Sequence, residues 1–264
     1  MVLQLPPHAA RPPLRGPAAV PGERGPAAVP GERGKWPRGS LIALLAEDER
    51  AALLSAGAPV QFKDDDILIL QGDVGDWFYV LTGGMVKITV AAETGAQTTL
   101  AVRTRGDLIG EFAVLDGMRR TATARAVSAV GALRISRPAF AEFGRRYPAA
   151  LATITRSLVA KMRAATERHA AERTWGSRER LAQVIYELAE SYGEPEDDGT
   201  VLIPLPLTQR ELGELAGVAV STAERILGEL RKEGVITTGY REIAVRDMNH
   251  LGAIRFSAQD PANP

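Results

Sequence analysis

The chain contains no cysteine. That excludes disulfides, iron–sulfur clusters, thiolate zinc sites and cysteine nucleophiles together. Histidine is almost as scarce: His8, His169 and His250 are too far apart in sequence to form a metal-ligand spacing, so no metal and no haem is expected. No apolar run approaches the length of a membrane span. The N-terminus has no charged segment followed by an apolar one, so a cytoplasmic protein is expected, with no membrane partner. There is also no excess charge, since 32 basic residues balance 32 acidic ones. Bulk electrostatics therefore draws the chain to neither nucleic acid nor lipid. Any such partner has to be argued from a local motif.

What is present falls into blocks. Residues 1–39 hold nine of the chain's 17 prolines, and "GPAAVPGER" repeats in tandem at Gly16–Arg24 and Gly25–Arg33. Proline at this density blocks helix and sheet, and few large apolar residues are available to bury. A disordered tail is expected. From Ser40 to Ala56 apolar residues recur at helical spacing, which predicts a short leading helix. From Val60 to Ile135 short β-rich runs (Ile67–Leu70, Trp77–Leu81, Met85–Ala91, Thr98–Val102, Thr121–Val127, Gly131–Ile135) alternate with glycine turns, predicting a compact barrel or sandwich in residues 40–147.

Two helices should follow, the second running from near Pro148 to about Thr174 with neither glycine nor proline inside it. Leu151, Ile154, Leu158, Met162, Ala165 and His169 are spaced three or four apart on it. A stripe this narrow suits a coiled-coil seam, so residues 148–174 are expected to join two copies of the chain; packing on its own barrel is the simpler alternative. Another amphipathic helix follows Gly176, then a helical unit from Thr208 and a hairpin over Val235–Val245. Residues 175–248 are expected to form this last domain, and residues 249–264 a C-terminal tail.

Two motifs carry chemistry. In "IGEFAVLDGMRRTATARA" (Ile109–Ala126) a glutamate after a glycine lies nine residues before an arginine with an adjacent threonine. An arginine fork and a hydroxyl suit a phosphate. A carboxylate, which only accepts hydrogen bonds, suits sugar hydroxyls. Ribose and phosphate together mean a nucleotide, although either residue alone would more often be a surface ion pair. The second motif is "LTQRELGELAGVAVSTAERILGELRKEGVI": Leu212, Leu215 and Ala216 make one helix face, Gly217 permits a tight turn, and Val218, Ala223 and Ile226 pack the next helix. Its charge does not favour DNA, with six basic residues against seven acidic ones between Pro204 and Asp247. An αα-hairpin without a DNA role is the plain alternative.

The stretch "GEFAVLDGMRRTATARA" resembles the phosphate-binding cassette of cyclic-nucleotide-binding domains, as in the cyclic-AMP receptor protein and fumarate-nitrate regulator family. "QGDVGDWFYVLTGGMVKI" and "RGDLIGE" resemble that family's preceding strands, and "GVITTGYREIAVRD" resembles its wing. The resemblance runs from about Leu53 to Asp247. It implies an α+β chain: an N-terminal jelly-roll-like β-roll, a long dimerisation helix and a C-terminal winged helix-turn-helix. It places the ribose carboxylate on Glu111 and the phosphate contacts on Arg120 and Thr121, with Gly110 as the tight backbone position. Arg119 lies outside the pattern. The family's base-contacting Thr–Ser pair aligns with Ala165 and Thr166, the second reaching in from the partner subunit. The first hydroxyl is therefore lost.

For DNA, the resemblance places Val220, Ser221, Thr222 and Arg225 at the start of the recognition helix, and Thr208 and Gln209 as backbone-positioning residues. Val220 and Ser221 replace a base-reading arginine and glutamate, which leaves Arg225 to contact a guanine. The implied partners are double-stranded DNA, cyclic AMP or a related nucleotide as allosteric ligand, a second copy of the chain, and RNA polymerase; no cofactor is implied. Two rivals remain. One is a DNA-binding regulator whose roll pocket is vestigial or takes another ligand. The other is a ligand-controlled enzyme, for which the helical segment offers no P-loop, no nucleophile elbow and only His250.

Overall fold

The computed structural model describes residues 36–92, 97–239 and 242–257. It opens with α1 (Leu41–Leu44) and α2 (Glu47–Ser55), not the single leading helix expected. The break at Leu45 is extended backbone, and the Ala46 amide donates to the Glu49 carboxylate at 3.0 Å. The acidic triplet Glu47, Asp48 and Glu49 starts a new helix, where its charge complements the N-terminal dipole.

The β-region comprises β1 (Ala58–Phe62), β2 (Ile67–Ile69), β3 (Trp77–Gly83), β4 (Met85–Ala91), β5 (Gln97–Thr104), β6 (Leu108–Ile109), the short α3 (Glu111–Asp116), β7 (Thr123–Ala126) and β8 (Val130–Ser136). These strands form two antiparallel four-stranded sheets, ordered β1-β8-β3-β6 and β2-β7-β4-β5. Alternation along β3 explains the layering. Tyr79 and Leu81 join Phe62, Val86 and Ile109 between the sheets, whereas Phe78 and Val80 face outward into a second core. Strand β1 carries no clean alternation and includes Pro59, which is tolerated because β1 lies at a sheet edge.

The second core is closed by α1, α4 (Arg137–Arg146) and the first half of α5 (Pro148–Thr174). This corrects the reading of the long-helix stripe. Ile154 is buried in the roll's own core, and Leu151 and Leu158 pack against it. Of the expected stripe Met162 and Ala165 stay exposed, and beside them Ala152, Thr155, Val159 and Thr166 face solvent, so that 152, 155, 159, 162 and 166 follow at alternating spacings of three and four. The side chain of His169 lies outside the described residues.

Beyond α6 (Ser177–Tyr192) come β9 (Glu194–Pro195), β10 (Val201–Ile203), α7 (Gln209–Ala216), α8 (Val220–Lys232), β11 (Ile236–Gly239), β12 (Glu242–Val245) and α9 (Met248–Ser257). The four strands make a small antiparallel sheet ordered β11-β12-β10-β9. Helix α9 replaces the start of the C-terminal tail expected over residues 249–264. Asp247 accepts the His250 amide at 2.8 Å, and Leu251 is fully buried. Ten residues with so short an apolar pattern left little periodicity to read in the sequence.

The proline-rich tail, expected over residues 1–39, falls mostly outside the described residues, the tandem repeat included. Its last part belongs to the folded body. The Arg105 guanidinium stacks 4.4 Å from the Trp36 ring centroid, and the Gly39 amide donates to Ser191 O at 3.1 Å. Among the described residues no helix is long and apolar enough to cross a membrane.

The helical domain shares a core with the roll. Met85 and Val102 of the second sheet pack with Leu181, Ile185, Leu212 and Ile226. Glu214 of α7 accepts hydrogen bonds from Lys87 Nζ at 3.2 Å and Thr99 Oγ1 at 2.9 Å.

Candidate functional site

Arg120 is the centre of the first site. It is only 4% exposed, and its guanidinium donates to Gly110 O and, at 2.6 Å, to Trp77 O. The packing requires glycine at two places. A Cβ on Gly110 would stand 2.7 Å from Arg120 Nη1, and one on Gly75 would stand 2.0 Å from Nη2. Gly110 also has φ +82°, a conformation that disfavours any side chain. Sequence reading anticipated Gly110 but missed Gly75, because the contact spans 45 residues of chain.

Burial lowers the Arg120 pKa, and the nearby Tyr79, Asp76 and Glu111 act against that shift. A guanidinium stays protonated regardless. It is thus a fixed, partly desolvated cation that lines a cavity of about 190 Å3. Thr121 lines the same cavity. Arg119, outside the motif, is exposed and donates to Gly72 O at 2.8 Å.

Glu111 is 8% exposed and opens α3 directly after Gly110. Its carboxylate accepts from Lys161 Nζ at 3.1 Å. Lys161 lies on α5 and also reaches toward Leu108 O at 3.4 Å. The structure therefore gathers Gly110, Glu111, Arg120 and Thr121 around one cavity and adds Lys161, which sequence reading missed. A signal was available: Lys161 lies one turn before Ala165, on the helix face already aligned with the pocket.

Thr166 does not line this cavity. It is exposed, donates to Met162 O at 3.0 Å and lies on the outer line of α5. Met162 and Ala165 line the cavity from the helix side, with Ile88, Leu100 and Arg103 opposite.

Behind Arg103 a polar relay leads to the helical domain. Tyr192 of α6 donates to Asp107 at 2.8 Å, and both groups lie close enough to Arg103 to hold its pKa up. Burial and the Asp107 charge raise the Tyr192 pKa, so the phenol remains a donor. Nearby, Arg168 of α5 pairs with Glu187 of α6 at 2.8 Å.

The second site is the start of α8. Gly217, at φ +62°, ends α7, and α8 begins at Val220. Gly213 lets the two helices cross closely, since a Cβ there would stand 3.2 Å from that of Ala223. Leu212, Ala216, Ala223 and Ile226 are buried between them.

Ser221 and Arg225 face solvent, while Val220 and Thr222 are half-buried. Arg225 is held by Glu229, with Nη1 to Oε1 at 2.6 Å, and Glu229 is shared with Arg178 at 3.4 Å. Thr208 caps α7: its hydroxyl accepts the Glu211 amide at 3.2 Å and donates to the Glu211 carboxylate at 2.8 Å. That reciprocal box occupies the hydroxyl and leaves Gln209 as the first residue of the helix.

Among the described residues no group of three or more His, Asp or Glu side chains is placed to hold a metal ion.

Residues 59–147 match the cyclic nucleotide-binding domain family, and residues 179–254 match the Crp-like helix-turn-helix domain. The chain is 26% identical over 201 residues to the CRP-like cAMP-activated global transcriptional regulator of Mycobacterium tuberculosis, covering 76% of this chain and 89% of that protein. It is 29% identical over 190 residues to the cyclic AMP receptor protein of Thermus thermophilus, covering 72% and 84% respectively. A solved CRP/FNR-family transcriptional regulator, also from Thermus thermophilus, superposes with a TM-score of 0.56 at 26% identity, over 75% of this chain and 98% of that one. With a nucleotide-binding roll and a helix-turn-helix joined by one long helix, the chain belongs to the CRP/FNR family of transcription regulators, which are not enzymes.

Proposed function

We propose that this regulator senses a cyclic nucleotide in the roll cavity and binds palindromic promoter DNA as a homodimer. The observation that carries the reading is the Arg120 guanidinium: buried, braced by two backbone carbonyls, and lining one cavity together with Glu111 and Thr121. Burying a cation costs several kcal/mol, on the order of the cost for any desolvated ion. A site that holds one beside an open cavity is suited to an anion. In this reading Arg120 and Thr121 take the cyclic phosphate, and Glu111 accepts from the ribose 2′-hydroxyl while Lys161 holds the carboxylate in place.

The dimer would form along Ala152, Thr155, Val159, Met162 and Thr166, the exposed line of α5. This side would deliver Thr166 to the partner's cavity and not to its own. DNA would be read by Ser221, Thr222 and Arg225 near the α8 N-terminus, with Val220 and Gln209 beside them. The two recognition helices would enter half-sites about 34–36 Å apart.

Coupling follows from shared walls. Strand β5 lines the cavity through Leu100, Ala101 and Arg103, and holds α7 and α6 through Thr99 and Val102. A ligand that favours one arrangement of β5 and α5 shifts the reading heads by its differential affinity for the two states.

Calorimetry with cyclic AMP and cyclic GMP, followed by DNA binding with and without each nucleotide, tests the reading. Saturable binding of either nucleotide and a change in DNA affinity are expected. Absence of binding at millimolar concentration would overturn the ligand, and unchanged DNA affinity would overturn the coupling.

A further inference from the structure

The cavity has a phosphate end and a far end, and their chemistry differs. In the sheet ordered β2-β7-β4-β5, Thr121 and Ala122 stand just before β7, while Arg103 lies on β5. Two strand spacings, about 10 Å, separate them. Along α5, Arg168 lies seven residues beyond Lys161, also about 10 Å. A nucleotide whose phosphate is at Arg120 and whose ribose is at Glu111 therefore extends its base toward β5 and the later part of α5.

That end is lined by Ile88, Leu100, Met162 and Ala165, which offer apolar faces to a purine. Its polar side chains are Arg103 and Arg168. Both offer donors and no acceptor. Arg168 is already paired with Glu187 at 2.8 Å, across the gap between α5 and α6. Arg103 donates to Val102 O at 2.8 Å and is steadied by Tyr192 and Asp107 behind it. Arg103 lines the far end of the cavity, which is where the base would lie.

We infer that Arg103 reads the base and selects a 6-oxopurine cyclic nucleotide over an adenine one. The proposal rests on the cyclic-nucleotide reading of the cavity and deepens it. Guanine and hypoxanthine present O6 and N7, two acceptors on one edge, which an arginine fork can engage together. Adenine presents N7 beside the N6 amino group, a donor that would face a donor. Ala165, which lines the same end, offers no hydroxyl to accept that amine. Arg103 also lines a second cavity with Asp107 and Tyr192, which are hydrogen-bonded to each other at 2.8 Å and lead to α6 of the DNA-reading half.

The test is calorimetry of the full chain with cyclic GMP, cyclic IMP and cyclic AMP. Cyclic GMP and cyclic IMP should each bind at least about tenfold more tightly than cyclic AMP, the size of one bidentate discrimination. Cyclic IMP lacks the 2-amino group, so its behaviour isolates the reading of O6.

Arg103→Leu should bring the three affinities to within about threefold of one another, with circular dichroism confirming the fold. Arg103→Gln, whose amide both donates and accepts, should turn the preference toward cyclic AMP, because glutamine matches the adenine N6/N7 edge. This reversal cannot come from a misfolded protein. Equal binding of cyclic AMP and cyclic GMP by the wild type, or a preference that neither substitution moves, would overturn the assignment to Arg103 while leaving the nucleotide site standing. Binding of none of the three would remove the nucleotide reading, and this inference with it.

Discussion

On the proposed reading the roll cavity and the reading head both meet phosphate, yet they are constructed in opposite ways. At the cavity the key cation is nearly inaccessible, held by Gly110 O and Trp77 O and fitted against two glycines where a Cβ would displace it. At the reading head Arg225 has a side chain 63% exposed and leans on Glu229 of its own helix. The difference follows the size of the partner. A small ligand has few atoms with which to repay binding entropy, so its site must be organised beforehand. A duplex supplies many phosphates, and its reader can order loose side chains on contact. The cavity should therefore fail sharply when one residue changes, and the head gradually.

The largest effect is expected where neither region is touched. Val159→Asp on the exposed line of α5 should place two like charges at a two-fold seam and cost about 3–5 kcal/mol of association, the penalty for an unpaired buried charge. Sedimentation should show monomers. Leu158→Asp, one residue away, faces the roll core and should lower the melting temperature instead. If the two variants behave alike, the assignment of Val159 to the seam and Leu158 to the roll core is wrong.

Next comes the cavity itself. Arg120→Leu should weaken cyclic-nucleotide binding by about 1.5–3 kcal/mol, the usual worth of a hydrogen bond to a charged group. It also leaves the two bracing carbonyls without a donor, so calorimetry should be paired with a melt. Loss of stability without loss of binding would make Arg120 a structural residue only.

The head should respond more mildly. Arg225→Ala is expected to cost about 1–3 kcal/mol on the preferred site and to relax one symmetric base pair. Selection from a random DNA pool reads both. A loss that is uniform across sequences would demote Arg225 to a phosphate contact.

How much of this was legible in sequence divides along the same line. That Gly110, Glu111, Arg120 and Thr121 meet at one cavity was readable because they lie within a dozen residues of chain, and α3 is too short to scatter them. Gly217 was readable because a left-handed turn needs it. What escaped was whatever depends on distant partners. Gly75 and Lys161 meet the cassette only in the fold, and Arg103 looks like any strand arginine until Tyr192 of another domain is packed behind it. The α5 stripe misled for a related reason. Periodicity reveals that a face is apolar, not what covers it, and the roll claimed Leu151, Ile154 and Leu158 before any partner could.

The smallest effect tests whether the two regions are joined. Glu214 of α7 accepts from Lys87 of β4 and Thr99 of β5, with side chains 35% and 23% exposed for the acid and the lysine. A pair this open contributes little, about 1 kcal/mol or less. Its removal should not detach α7, because Met85 and Val102 still pack against the helical domain. It should loosen the placement of the reading head in the ligand-free protein. Glu214→Ala is then expected to raise ligand-free DNA affinity by up to about fivefold, the equivalent of about 1 kcal/mol. That result alone would be ambiguous, since deleting an acid near DNA favours binding by simple charge. Lys87→Ala separates the explanations. It deletes a cation, so bulk electrostatics predicts weaker binding, whereas release of the clasp predicts a rise like that of Glu214→Ala. The double variant should add nothing further, as expected for two halves of one contact. Opposite signs for the two single variants, measured without ligand at one salt concentration, would show that the roll does not hold the reader through this contact.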